Sequence, residues 1–231
     1  VVVSQKGWVR ARSGHGHDAT SFGFKAGDTL YGTFECRTVD VLIVLGSNGR
    51  VYSTVVSSLP GARGDGQPVT TLIDLESGTQ PTHYFAGPSG ATLLLSGSGG
   101  YGFVAQVEHL VSRNRSGKSL VSLGAGATLP AATHVACASQ AGRILTFALD
   151  ELKTMEKGGR GLMLLDLEAK DQLAGAAAYT RSVRISGVGR GGKEREETLE
   201  IRSLNNARAA RGRKGKAADL GFKPSDIVRV E

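Results

Sequence analysis

Four short segments of this chain combine arginine or lysine with glycine, a composition suited to holding phosphate groups. They span residues 62–66, 113–118, 157–161 and 210–216. Glycine lets the backbone approach a phosphate closely and leaves amide groups free to donate, while the cationic side chains attract it. One such segment alone is as readily a solvated turn, but four favour a binding surface. The candidate phosphate ligands are Arg63, Arg113, Arg115, Lys118, Lys157, Arg160, Arg211, Arg213, Lys214 and Lys216.

Two fragments of nucleotide-binding motifs lie before or within the second segment. Gly97, Gly99 and Gly102 fit a dinucleotide-binding pattern, but the Phe-Val-Ala-Gln-Val that follows favours a strand and leaves no room for a crossover helix. Gly-Lys-Ser at 117–119 resembles the tail of a phosphate loop, yet Ser112 stands where that motif requires glycine. We therefore expect no nucleotide cofactor in this chain, and an enzyme built on a Rossmann-like site is the least favoured alternative.

Metal-binding and catalytic patterns are equally weak. His15 and His17 could be combined with the distant Cys36, but no fourth ligand has suitable spacing, so an ordinary polar loop is expected. No Ser/His/Asp set or carboxylate pair stands out. The sequence predicts a chain without metal, cofactor or catalytic residues of its own.

Composition favours a β-rich protein that binds a polyanion. The 231 residues include 33 glycines and 6 prolines, with only 6% aromatic residues, which is typical of a turn-dense chain. The net charge is +7, and residues 181–231 supply most of it, with 13 Lys+Arg against 7 Asp+Glu. A solubilising basic tail is the alternative. The absence of a long apolar run and the two isolated cysteines, expected to be buried and reduced, suggest a soluble cytoplasmic protein. The start at Val-Val-Val suggests a piece of a longer chain.

The chain also repeats itself. Three glycines each precede a strand-like run that ends in a leucine ten residues later, and weaker copies begin at Gly7 and end at Leu204. The pairs are Gly49 and Leu59, Gly100 and Leu110, and Gly142 and Leu152.

Each repeat has about four predicted strands. Strands at 41–45, 91–95, 133–138 and 182–186 precede the turns, and strands at 69–75, 120–123, 162–167 and 227–230 follow the basic segments. Residues 168–180, with an alanine cluster, are interpreted as a linker that could form a helical turn or two. Five such units predict an all-β, propeller-like ring whose basic loops line one rim.

With these repeats laid out, the chain resembles the C-terminal domain of the A subunit of the bacterial type IIA topoisomerases, the gyrase and topoisomerase IV family. The similarity covers nearly the whole chain. The segments that show it most clearly are GWVR (7–10), LPGARGDGQPVT (59–70), GYGFVAQVEHLVSRNRSGKSL (100–120), QAGRILTFALDEL (140–152) and ARGRKGKAADLGF (210–222).

The resemblance implies a β-pinwheel, in which about five four-stranded blades exchange strands, forming a single domain over residues 1–231 that binds and bends double-stranded DNA. The DNA-cleaving tyrosine of the family lies in an N-terminal domain and its ATPase on a separate polypeptide. ATP and magnesium are therefore expected only in the parent complex, an ATP-hydrolysing type II topoisomerase that forms a heterotetramer with the B subunit of topoisomerase IV. The implied setting is the bacterial cytoplasm, at the nucleoid and without membrane attachment, in decatenation, relaxation of supercoils and chromosome segregation.

One sequence motif distinguishes the gyrase branch of this family from the topoisomerase IV branch. The A subunit of gyrase carries a QRRGGKG-type box in its first blade, whereas the first unit here offers only Phe24-Lys-Ala-Gly-Asp28. This difference favours the topoisomerase IV branch. The alternatives are a gyrase domain that wraps DNA weakly, or a propeller for protein interaction in which the loop charges only keep the protein soluble.

Overall fold

A computed structural model gives the fold. It describes residues 1–61, 63–120, 125–128 and 131–230, with the backbone alone described for 125–128. Within these ranges the chain forms nineteen β-strands, two short α-helices and five 3-10 helices. The prediction of an all-β protein is confirmed.

The strands are short and follow one another closely. In chain order they are β1 (Val2–Ser4), β2 (Trp8–Arg10), β3 (Leu30–Thr33), β4 (Val41–Gly46), β5 (Arg50–Val55), β6 (Gln67–Pro68), β7 (Pro81–Gly87), β8 (Thr92–Ser96), β9 (Tyr101–Gln106), β10 (Lys118–Ser119), β11 (Ala125–Thr128), β12 (His134–Ser139), β13 (Arg143–Ala148), β14 (Leu162–Met163), β15 (Leu173–Tyr179), β16 (Ser182–Gly189), β17 (Glu194–Glu200), β18 (Lys216–Ala217) and β19 (Phe222–Val230). The α-helices are α1 (Val107–Leu110) and α2 (Ile201–Asn206), and the 3-10 helices are Ala19–Ser21, Val56–Ser58, Val69–Thr71, Leu149–Glu151 and Arg190–Gly192.

The chain divides into two compact units. The first comprises residues 1–91 and 107–120, and the second comprises residues 92–106 and the described residues after 120. The first unit holds two sheets, with strand orders β3-β1-β2-β6 and β10-β5-β4-β7. The second holds three, with orders β11-β8-β9-β14, β15-β12-β13-β18 and β17-β16-β19. The prediction that residues 1–231 form one domain stays a prediction.

Each of the first four sheets is completed by a strand from later in the chain. β6, β10, β14 and β18 add to β2, β5, β9 and β13 respectively, and each comes after the central hairpin of the following sheet. We call these four the donated strands. This exchange is the arrangement that the family resemblance implies. The fifth sheet has three strands within the described residues, and β17 forms its edge.

The central hairpins are the best-predicted elements. β4/β5, β8/β9 and β12/β13 are antiparallel pairs that turn at Gly49, Gly100 and Gly142, and all three glycines have positive φ. Strands such as Val41–Gly46 are apolar and buried on both faces, which is why the sequence shows runs and not alternation. The leucines that end the repeats at 110 and 204 are fully buried.

Two predicted strands are wrong in part. The strand expected at 69–75 is instead the 3-10 helix Val69–Thr71, because the Val69 amide donates to Gly7 O (2.9 Å) and the Thr71 hydroxyl to Pro68 O (2.8 Å). The strand expected at 162–167 ends at Met163, where the Leu164 amide turns toward Gly100 O at 2.7 Å. Of the strand expected at 120–123, residues 121–123 lie outside the described residues.

The predicted linker at 168–180 is also wrong. It contains β15, which is almost wholly buried and pairs with β12 from His134↔Tyr179 to Ser139↔Leu173. Its alanines and Gly175 are poor strand formers by propensity, but their small size lets β19 pack closely, with Ile227 next to Gly175. Close packing therefore outweighs local preference here.

Candidate nucleic-acid interface

The four basic segments occupy one position in the architecture. Each immediately precedes a donated strand, and we call them the donated-strand loops: residues 63–66, 113–117, 157–161 and 211–215. Each loop ends in a glycine with positive φ. A Cβ at any of these glycines would collide with a carbonyl oxygen of the strand that receives the donation. These glycines are Gly66, Gly117, Gly161 and Gly215, facing Val9, Val51, Gly102 and Ile144.

In each unit, the segment that follows the earlier loop is hydrogen-bonded to the later loop. In the first unit the Asp74 amide, in the segment after the first loop, donates to Arg115 O in the second (2.9 Å). In the second unit the Asp166 amide donates in the same way to Arg213 O (3.1 Å). The two loops of each unit are therefore linked through the segment that follows the earlier loop.

Two arginines not among the predicted site residues hold these loops in place. Arg50 donates from Nε to Ser116 O (3.1 Å) and from a terminal nitrogen to Gly117 O (2.9 Å), and it lies 3.5 Å from Glu76. Arg143 donates to Gly215 O (3.3 Å) and pairs with Glu168 at 2.8 Å. Both follow the turn glycines Gly49 and Gly142, a placement from which this bracing role could have been anticipated.

Eight of the ten predicted ligands are exposed, and six of these eight make no side-chain hydrogen bond, ion pair or ring contact among the described residues. Their charges are therefore available to a ligand. They are Arg63, Arg113, Lys157, Arg213, Lys214 and Lys216.

The other four predicted ligands contact the protein itself. Arg115 donates to Thr71 O (2.8 Å) and lies 3.3 Å from Asp74. Lys118 donates to His109 O (2.5 Å), and burial lowers the pKa of its ammonium group.

In the second unit, the Arg160 guanidinium lies 3.9 Å from the centroid of the Tyr101 ring. Arg211 donates to Met163 O (2.6 Å) and Glu151 O (3.1 Å). The ten predicted ligands thus divide into six free cations and four that help to fix the loops.

A second group of cations, missed from the sequence, lies on the first sheet. Arg10 is buried, with its guanidinium 5.3 Å from the Phe24 ring centroid and 5.8 Å from that of Phe22. The guanidinium of Arg12, two residues after β2, lies 5.7 Å from the centroid of the Phe22 ring. The Lys25 ammonium lies 3.6 Å from that of the Trp8 ring. The GWVR motif was the available signal, since it places Arg10 at the end of β2.

The residues considered for metal binding and the two cysteines can also be located in the described part of the chain. No group of three or more His, Cys, Asp or Glu side chains there is arranged to hold a metal ion. His17 Nε2 lies 2.9 Å from Ser13 O, within its own loop. Both cysteines are free thiols: Cys137 is fully buried and Cys36 half-buried, and burial raises the pKa of each. No helix among the described residues is long and apolar enough to cross a membrane.

Comparison with known proteins identifies the family to which this chain is similar. The family model of the DNA gyrase C-terminal domain, beta-propeller, matches residues 40–77, 91–129 and 133–179, more than half of the chain. The A subunit of DNA topoisomerase 4 from Neisseria gonorrhoeae is 34% identical over 94% of this chain, and that from Escherichia coli K12 is 31% identical over all of it. The chain spans about a third of the length of these relatives, 29% and 32%.

Solved structures agree with the strand pattern. The E. coli ParC C-terminal domain is similar with a TM-score of 0.81 and 29% identity, covering 98% of this chain and 96% of that one. The C-terminal domain of DNA topoisomerase IV in a second structure has a TM-score of 0.80 at 16% identity, covering all of this chain and 76% of that one, which shows likeness of fold.

Small antiparallel sheets joined by donated strands define the β-pinwheel class of all-β modules. The predicted fold class is confirmed. The chain belongs to the DNA gyrase C-terminal domain, beta-propeller family, as the sequence motifs predicted. Its curated relatives within that family are topoisomerase IV A subunits, parts of a type II topoisomerase.

Proposed function

We propose that this chain is the non-catalytic DNA-binding and DNA-bending domain of a topoisomerase IV A subunit. The observation that carries the proposal is the repeated placement of free cations beside glycines in the four donated-strand loops. Exposed cations release condensed counterions when they neutralise DNA phosphates, and this gives affinity without reading sequence. The two linked loops of each unit would offer phosphate contacts at successive points, which supports a bent duplex over a straight one.

The role of the whole protein follows from its relatives. As part of a polypeptide that assembles with the B subunit of topoisomerase IV in the bacterial cytoplasm, the domain would hold duplex DNA at the nucleoid. It would do so for decatenation, relaxation of supercoils and chromosome segregation. ATP and magnesium would be bound elsewhere in that complex. The six free cations would be the principal phosphate ligands, while Arg115, Lys118, Arg160 and Arg211 would keep the loops in shape.

The test is a titration of the chain against a labelled duplex of arbitrary sequence across a range of salt concentrations. Replacing Arg213, Lys214 and Lys216 by alanine should lower the magnitude of the log-affinity versus log-salt slope by about 2 to 3, since each phosphate contact contributes about 0.9. The bend would be measured in parallel by energy transfer between dyes at the two ends of the duplex.

A charge-matched control is available in the fifth sheet region, where no donated strand is found among the described residues. Replacing Arg190, Lys193 and Arg202, all exposed, removes the same charge and should change the slope much less. Equal losses in the two triple variants would overturn the loop assignment. Failure of the unaltered chain to bind duplex at low salt would instead favour a protein-interaction module.

A further inference from the structure

Arg10 is the most heavily buried arginine of the described chain, and it has no acidic partner. Its side chain is only 7% exposed. Its terminal nitrogens donate to Gly64 O (2.8 Å) and Gly23 O (2.7 Å), so that β2, the loop at 21–25 and the first donated-strand loop are joined. Among the described residues it forms no ion pair, which leaves a buried positive charge without a counterion.

Three other arginines that donate to backbone carbonyls are paired with an acidic residue. Arg50 lies 3.5 Å from Glu76, Arg143 2.8 Å from Glu168 and Arg115 3.3 Å from Asp74. Bracing a loop therefore does not require an unpaired charge, and in these cases the protein supplies the anion. Arg211 also lacks an ion pair among the described residues, but it is only partly buried. Arg10 is the buried case, and its unpaired charge indicates that the anion comes from outside.

An open cavity of about 320 Å³ reaches Arg10 from solvent. We call it the first-sheet cavity. Arg12, which is exposed and also lies near the Phe22 ring, lines it too, as do Ser21 and Gly64. Two guanidinium groups held by one aromatic ring are positioned before a ligand arrives, which lowers the entropic cost of binding.

Asp65 is the acidic residue among the described residues that line the first-sheet cavity. It stands one position before Gly66, where the third and fourth loops place Arg160 before Gly161 and Lys214 before Gly215. A carboxylate at this point weakens the attraction for an anion without making an ion pair with Arg10.

We propose that the first-sheet cavity binds a backbone phosphate of duplex DNA, with Arg10 and Arg12 as its cationic ligands and with Asp65 lowering its affinity. The proposal rests on the proposed DNA-binding function and deepens it. It assigns the first sheet a phosphate contact that replaces the glycine-rich box missing from its sequence. The ligand is the phosphodiester of a duplex, and free inorganic phosphate serves as the comparison.

Two substitutions with opposite expected effects test it, because a structural role alone predicts no gain. Arg12→Ala removes an exposed side chain and should lower duplex affinity about threefold to tenfold, with a salt slope smaller by about 1. Asp65→Asn should raise the affinity about threefold. Lys6→Ala removes an exposed cation of the same region that does not line the cavity, and it should change neither quantity by as much.

The outcomes separate this proposal from the general one. If the triple variant at Arg213, Lys214 and Lys216 loses affinity while Arg12→Ala and Asp65→Asn bind as the unaltered chain does, the first-sheet cavity is not a DNA site and the loop function stands. Saturable binding of inorganic phosphate at Arg12, seen by NMR, with no change in duplex affinity in either variant also overturns it. If the unaltered chain binds no duplex, both proposals fall together.

Discussion

The second and fourth donated-strand loops share a scaffold but use their cations differently. Arg115 and Arg213 both stand two residues before the loop glycine, and the carbonyl of each accepts from an aspartate amide. The Arg115 side chain folds back onto Thr71 O and Asp74, whereas that of Arg213 makes no such contact among the described residues.

Lys118 and Lys216 differ in the same way one residue after the glycine. Lys118 is partly buried against His109 O, and Lys216 is exposed. The comparison teaches that position fixes the backbone of these loops, while the acceptors nearby decide whether a cation is free to bind a ligand.

The largest expected effect tests the shared scaffold. Gly117→Ala and Gly215→Ala should each lower the free energy of unfolding by about 3 kcal/mol, because both glycines have positive φ and the added Cβ would lie 2.6 Å from a carbonyl oxygen, of Val51 and Ile144 respectively. Chemical denaturation measures both. Gly99→Ala is the control, since its Cβ would meet no atom within 4 Å, and it should stay within about 0.5 kcal/mol. A loss at Gly215 no greater than at Gly99 would contradict the shared scaffold.

A smaller effect separates the two arginines. Arg115→Ala should cost about 1 kcal/mol of stability, mostly from the hydrogen bond to Thr71 O, since the exposed ion pair to Asp74 adds little. Arg213→Ala should cost less than about 0.5 kcal/mol. Urea unfolding of the two variants measures the difference, and equal stabilities would mean that the fold-back of Arg115 contributes nothing.

The smallest effect separates the two lysines by DNA binding. Lys216→Ala should reduce the salt slope of duplex affinity by about 0.9, the contribution of one phosphate contact. Lys118→Ala should leave the slope unchanged, because the ammonium group already donates to His109 O. Fluorescence anisotropy over a potassium chloride series measures both. The same reduction in both variants would remove the distinction between free and engaged cations.

The sequence predicted the parts of the fold that local chemistry determines. Turn glycines followed by apolar runs identified the hairpins at Gly49, Gly100 and Gly142, and the family motifs identified the strand exchange. The donated strands have two residues each, too few for a periodic pattern, so their bounds were mispredicted. β15 was missed because alanine carries little strand signal and its burial depends on distant packing.

The sequence predicted which cations lie near the donated strands but not what they contact, and their role in DNA binding stays a prediction. All ten cations do lie in or next to the donated-strand loops. Which of them are free depends on acceptors such as Thr71 O, contributed by residues remote in sequence, and no pattern within the loop contains that information. The Arg10 group was missed for a similar reason, since the Phe22 and Phe24 rings beside it come from a separate loop that β2 does not contain.

The donated strands also have a consequence for how the protein is made. A loop carbonyl that Arg10, Arg50 or Arg143 must hold lies 54, 67 or 72 residues further along the chain. During synthesis, one edge strand of each of these sheets stays unpaired until the next repeat has left the ribosome. Pairing over such separations is slow because the entropy of closing a long loop is lost before the contacts form. We therefore expect the sheets to be completed in chain order, each one after the following repeat has been translated.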